Sequence, residues 1–274
     1  MHLSDCYLNC IDKRYLISPK LWKQMRIILS DIEINAKTGR PSIHIRRGMN
    51  AIFYLLRTGI QWKALPKCFG SSSAIHRLFQ KLILKNFFKD FWQEELKLYN
   101  TNVGLDLATQ AADCIHIKSP LGQEATGKSP VDRRKLGTKR SIAVDGTGII
   151  IGCAVGAGNS YDANLLPKTL DSIPKSIEQP YYKEISLDAA YDNQDVQTLL
   201  FNKYYIPKIA RNSRNSKNKN KTNPLGYKRW FVERSHSWLN KFRRLYIRYE
   251  KNANNYLALT LFAVGIITFN KSGV

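Results

Sequence analysis

Residues 139–155 read KRSIAVDGTGIIIGCAV. Two apolar runs rich in Ile and Val flank Asp145, Gly146, Thr147 and Gly148, and a Gly-Thr-Gly step between such runs predicts a β-hairpin. Upstream, AADCIHIKS at 111–119 has the texture of a third strand. Downstream, ANLLPKTLDSI at 163–173 reads as a helix with Pro167 in its first turn or at a kink. EISLDAAYD at 184–192 follows as a strand, NQDVQTLLFNK at 193–203 as a helix, and YIPKIA at 205–210 as a short strand. This alternation predicts an α/β unit built on a mixed sheet.

The first hundred residues read instead as helices. Apolar residues recur at helical spacing in SPKLWKQMRIILSDI (18–32), where Ser18 can cap the first turn, and in SIHIRRGMNAIFYLLRTG (42–59), which Gly59 can close. Ser71, Ser72 and Ser73 then precede one long helical pattern, AIHRLFQKLILKNFFKDFWQEELKLY (74–99). Helix, turn-rich connection and Ser-capped helix predict a helix-turn-helix-like module, and Lys37, Arg40, Arg46 and Arg47 tilt it toward DNA. Two regions are expected: a helical DNA-binding domain over 1–105 and an α/β domain over 106–274.

Charge names a class of partner. The 274 residues include 43 Lys and Arg against 21 Asp and Glu, a formal net charge of +22, which predicts a polyanionic partner. Hydrophobic residues at 43% give too much burial potential for a disordered basic tail. Lys203–Lys251 holds 15 of the basic residues against only Glu233 and Glu250. Its first part, RNSRNSKNKNKTNP (211–224), has no apolar periodicity and reads as a basic loop, with Arg211, Arg214, Lys217, Lys219 and Lys221 available to phosphates. The five cysteines contain no Cys-x-x-Cys pair, so neither a zinc finger nor a disulfide framework is supported. With no secretory pattern at the start, and with the apolar run 256–269 shorter than the ~20 residues of a membrane helix, a cytoplasmic protein with a buried last helix is expected. Nothing matches the Gly-rich GxxxxGK[ST] loop, so no nucleotide cofactor is expected.

Three acids stand apart from the rest. Asp113 and Asp188 each interrupt an apolar, strand-like run, and Glu233 is a lone acid among bases on the polar side of a helix. In that helix Phe231, Trp238, Phe242 and Leu245 form the apolar side, with Val232 and Leu239 beside them. Buried carboxylates are costly unless paired, hydrogen-bonded or metal-bound. Three brought together repel unless a divalent cation neutralises them, and hard oxygen ligands select magnesium or manganese. The other acids have local explanations: Asp132 in a loop, Asp145 in the hairpin turn, Asp162 and Asp192 as helix caps. His236, one turn beyond Glu233, reads as a surface or hydrogen-bonded side chain.

These strings resemble a known family. ADCIHIKSP (112–120), GQEATGKSPVDRRKLGTKRSIAVDGTGI (122–149), LDAAYD (187–192) and RWFVERSHSWLNKFRRLYIRYE (229–250) look like insertion-sequence transposases of the DDE type, in the group called the insertion sequence five family. LISPKLWKQM, GRPS, LLRTGIQWKALPKCFG and AIHRLFQKL resemble the helical N-terminal domain of that group. The resemblance implies an RNase H-like core whose catalytic acids Asp113, Asp188 and Glu233 bind two divalent metals, Mg2+ or Mn2+. It also implies DNA contacts by Arg229, four residues before the Glu, and by Lys241, one place beyond the position that Asn240 holds. Ala189 and Ala190 stand where many relatives have Arg-Gly. The implied activity is transposition: binding of terminal inverted repeats in double-stranded DNA, hydrolysis that frees a 3′-hydroxyl, and transfer of that hydroxyl into target DNA, with two ends paired by a homodimer. The alternatives are a nuclease of the same fold that does not join DNA, and an inactive remnant that only binds it.

Overall fold

The computed structural model describes residues 10–30, 32, 42–130, 132–210 and 229–273. Its strands are β1 (Thr109–Lys118), β2 (Gly127–Lys128), β3 (Leu136–Asp145), β4 (Ile150–Ala157), β5 (Lys183–Leu187) and β6 (Tyr205–Ile209). The helices are α1 (Pro19–Ser30), α2 (Ile45–Thr58), α3 (Ser72–Leu84), α4 (Phe87–Asn102), α5 (Leu166–Asp171), α6 (Gln194–Asn202), α7 (Trp230–Asn240), α8 (Arg243–Tyr246) and α9 (Ala253–Lys271).

All six strands form one sheet in the order β2-β3-β1-β5-β6, with β4 also paired to β3. β3 pairs antiparallel with both β1 and β4, whereas β5 pairs parallel with β1 and β6 parallel with β5. This is the mixed sheet of an RNase H-like fold. Its hairpin is closed by Asp145, whose carboxylate accepts hydrogen bonds from Thr147 N (3.0 Å) and Ile149 N (2.7 Å) at the turn and from Asp106 N (3.0 Å). A fully buried acid is thereby satisfied by backbone donors.

The pleat decides what faces the site. In the β1–β3 register Asp113 lies opposite Ile142, and Cys114 opposite Ser141, so Asp113 and Cys114 point to opposite faces. Ser141 Oγ accepts a hydrogen bond from Thr169 Oγ1, which puts α5 on the Cys114 face. Arg140 lies on the other face and reaches Asn240 Oδ1 (3.1 Å) and Tyr256 Oη (3.5 Å), which puts α7 and α9 on the side of Asp113.

The helices of the first hundred residues pack onto this same face through α9. Phe262 of α9 meets Phe53, Phe88 and Phe91, with ring centroids 5.4 to 6.5 Å apart. Gly265 permits the approach, because a Cβ there would lie 2.6 Å from Phe91. By length and composition α9 could cross a membrane, but most of its residues are buried in one hydrophobic core shared by both regions.

Several local expectations hold. Ser18 Oγ caps α1 by accepting from Leu21 N (3.2 Å), Gly59 closes α2 at φ +75°, and Pro167 lies in the first turn of α5. Others are corrected. The pattern over 74–99 is two helices, because Asn86 adopts a left-handed φ of 56° between α3 and α4 while both halves keep apolar spacing. The connection from α2 to α3 spans Gly59–Ser71 with 3-10 turns at Trp62–Ala64 and Lys67–Phe69, longer than the three or four residues of a tight helix-turn-helix. Asp162 does not cap a helix; it pairs with Lys139 at 2.6 Å. Nor does Asp192, because Asn193 takes that position and accepts from Val196 N at 2.9 Å.

Candidate active site

Each of the three acids is held by a different element. Asp113 sits within β1, an interior strand paired with β3 on one side and β5 on the other, and its side chain is only 10% exposed. Asp188 lies one residue past the end of β5 rather than inside a strand. There its Oδ1 accepts from Ala189 N and starts a 3-10 turn over Ala189–Tyr191. Glu233 stands in the first turn of α7, with its side chain 59% exposed.

α7 is fastened to the sheet through the hairpin. Ser235 Oγ donates to Gly148 O at 2.5 Å, and Arg234 Nη2 donates to Thr147 O. Gly148 has a φ of +87°, and a Cβ there would come within 2.9 Å of Arg234 and 3.2 Å of Ser235. The hairpin glycine therefore lets the helix that carries Glu233 lie close.

Arg229, at the N-cap position of α7, joins all three acids. Its Nη1 is 2.7 Å from Asp188 Oδ2, its Nη2 is 3.3 Å from Asp113 Oδ2, and its Nε is 3.3 Å from Glu233 Oε1. Residues separated by 75 and 45 positions thus meet on one guanidinium. Burial pushes the Asp113 carboxyl up to about 6, which means that loss of water outweighs the nearby Arg229 charge. Among the described residues, no three His, Cys, Asp or Glu side chains are spaced to share one metal ion. The guanidinium fills the space between the carboxylates.

The remaining expected residues lie elsewhere. Lys241 is exposed at the C-cap of α7, two turns beyond Glu233, and forms no ion pair with the three acids. Arg211, Arg214, Lys217, Lys219 and Lys221 lie outside the described residues, as do Lys37 and Arg40. His236 is not at the surface. It is buried, and burial first, with the Arg140 charge nearby second, pushes its pKa well below the ordinary imidazole value, while a backbone hydrogen bond with Asp113 acts in the opposite direction. The buried side of α7 is therefore Phe231, Val232, Ser235, His236 and Leu239, with Trp238 only partly covered.

Two features were not anticipated. Tyr191 is fully buried and its Oη donates to Cys114 Sγ at 3.4 Å, which ties the turn after Asp188 to β1 beside Asp113. On the outer side of α7, the Arg234 guanidinium lies 4.5 Å from the Trp230 ring centroid and 5.0 Å from that of Trp238, and Lys271 Nζ lies 4.0 Å from Trp238. The four-residue spacing of Trp230, Arg234 and Trp238 was visible in the sequence and carried that signal.

Known proteins share these segments. Residues 112–266 match the family described as "Transposase DDE domain", and residues 17–92 match "Putative transposase of IS4/5 family". The chain is 30% identical over 156 residues to "Putative transposase for insertion sequence element IS402" from Burkholderia cepacia, a match covering 54% of this chain and 71% of the relative. Among solved structures, the Mos1 strand transfer complex aligns over 93% of this chain and 86% of its own, at 11% identity and a TM-score of 0.29. A Mos1 paired-end complex aligns over the same shares at 14% identity and a TM-score of 0.29. Overlaps that loose carry no weight. The sequence matches do: with its DDE domain spanning more than half of its length, the chain belongs to the DDE transposase family.

Proposed function

We propose that the chain moves the element encoding it by binding the ends of that element as double-stranded DNA, cleaving to free a 3′-hydroxyl, and transferring that hydroxyl to target DNA. The observation that supports this reading is the meeting of Asp113, Asp188 and Glu233 on one guanidinium. Their oxygens are hard donors already turned toward a shared positive charge, so the donor set fits Mg2+ or Mn2+. Asp113, Asp188 and Glu233 would hold two such ions, which when bound activate the attacking oxygen and stabilise the leaving one.

The protein's own groups do the positioning. β1 fixes Asp113 at the floor, the Tyr191 anchor fixes the turn carrying Asp188, and the hairpin fixes the helix carrying Glu233. Arg229 and Lys241 are assigned to DNA phosphates near the acids. Arg211, Arg214, Lys217, Lys219 and Lys221 are assigned to the flanking duplex, and the helical domain over 1–105 to the element end. Two copies would pair two ends. Phosphodiester bonds are exchanged, so no nucleotide cofactor is required, and the work takes place in the cytoplasm, where the DNA is.

The test uses duplexes taken from the borders of the encoding element. Asp188→Asn, Asp113→Asn and Glu233→Gln are each expected to abolish metal-dependent cleavage while DNA binding in a gel-shift assay persists. Asp192→Asn should remain within a few-fold of the unmodified protein. Cleavage that survives Asp188→Asn would overturn the assignment. A strand-transfer assay on pre-cleaved ends then distinguishes a transposase from a nuclease that stops after cutting.

A further inference from the structure

We propose that Arg229 is an internal counter-cation that closes the three-acid site in the free protein and leaves it for a phosphate of bound DNA, so that metal loading follows DNA binding. The inference rests on the reading that the three acids hold metal.

The geometry supports it in three steps. One guanidinium spans all three acids, using Nη1 for Asp188, Nη2 for Asp113 and Nε for Glu233. A divalent ion among the same oxygens would meet both the bulk and the positive charge of that group, so the two occupants exclude each other. Finally, Arg229 has somewhere to go. Its side chain is 30% exposed, it stands at the N-cap of α7, and a guanidinium binds phosphate with two parallel hydrogen bonds as readily as it binds carboxylate. A DNA backbone arriving at the rim offers Arg229 an anionic partner outside the acid cluster and uncovers the oxygens that the metals need. Coupling of this kind is reciprocal: if DNA raises metal affinity, metal raises DNA affinity by the same factor. The arrangement would keep a free protein from carrying a loaded, cutting-competent centre before a substrate is in place.

The test measures metal binding, not cleavage. Free Mn2+ is titrated by electron paramagnetic resonance against the full-length protein, alone and with a 20-base-pair duplex of mixed sequence. For the unmodified protein the duplex should tighten Mn2+ binding about tenfold or more. Arg229→Gln should bind Mn2+ at least tenfold more tightly than the unmodified protein in the absence of DNA, and added duplex should change it little. Arg229→Lys, whose single ammonium cannot span three carboxylates, should fall between. Circular dichroism checks that each variant is folded, and Arg229→Lys carries the test should the Gln variant fail to fold. If Arg229→Gln, or Arg229→Lys in its place, binds Mn2+ no better than the unmodified protein, and adding Asp188→Asn weakens that binding, the acids hold metal but Arg229 does not gate them, and the inference fails. If Asp188→Asn leaves Mn2+ binding unchanged in every background, the reading of the acids fails instead.

Discussion

Glu95 on α4 is a buried acid that the site does not use, and its Oε2 has no hydrogen-bond partner among the described residues. Burial first, and the neighbouring Glu94 second, push its carboxyl up to about 7 from an ordinary value of 4.5. A carboxyl raised in the folded state gives stability that is complete below pH 4.5 and lost as the pH rises through 7. Glu95→Gln should therefore raise unfolding free energy at pH 8 by up to about 3 kcal/mol and leave it unchanged at pH 4, as read by urea denaturation. A gain of equal size at both pH values would show that charge is not the cause. At this scale the sequence was informative where a residue broke its local pattern. Asp113 and Asp188 stood out because each is an acid in an apolar run. The link of Arg229 to Asp113 spans 116 positions and has no local signature, so spacing revealed only its pairing with Glu233. The burial of His236 was missed because Trp238 was assigned to the inner side of α7, whereas stacking against Arg234 and Lys271 keeps that ring at the surface.

Elements followed the sequence wherever turn chemistry was explicit. Gly-Thr-Gly marked the β3–β4 hairpin and Gly59 marked the end of α2, because both supply backbone conformations that few other residues take. The break between α3 and α4 had a weaker mark. Asn86 is among the few non-glycine residues that tolerate φ > 0, but an isolated Asn in a helical pattern is usually just polar surface. Replacing it separates the two roles. Asn86→Ala should cost roughly 1–2 kcal/mol, the usual penalty for a Cβ in that conformation without a compensating side chain. Asn86→Gly should be neutral or stabilising. Thermal melts of the two variants would check this, and equal melting temperatures would show that the kink does not depend on that backbone angle. The mixed order of the sheet, with β5 and β6 parallel to β1, was expected only as a class. Pairing partners are set by long-range packing, which periodicity does not encode.

For the whole molecule, one hydrophobic core runs from α1 to α9. Buried Arg244 reinforces the union by pairing with Glu250 at 2.6 Å while donating to Ile60 O at 3.1 Å. Calorimetry should accordingly show one cooperative unfolding transition rather than separate melts for the helical and sheet regions; two resolved peaks would refute this. DNA binding belongs to the same scale. Neutralising Arg211, Arg214, Lys217, Lys219 and Lys221 together should flatten the log-log salt dependence of affinity by about 0.9 for each phosphate that they had neutralised. An unchanged slope would remove the basic run from the interface. The position of α9 also has a consequence for synthesis. α4 ends at Asn102, and the helix that covers it begins only at Ala253. At about 5–20 residues per second, a ribosome leaves that apolar face bare for roughly 8 to 30 seconds, and Asp113 and Asp188 emerge well before Glu233. A nascent chain is thus without both its complete acid set and its closing helix, and a stop codon within the α9 coding sequence would remove the fold rather than trim a tail.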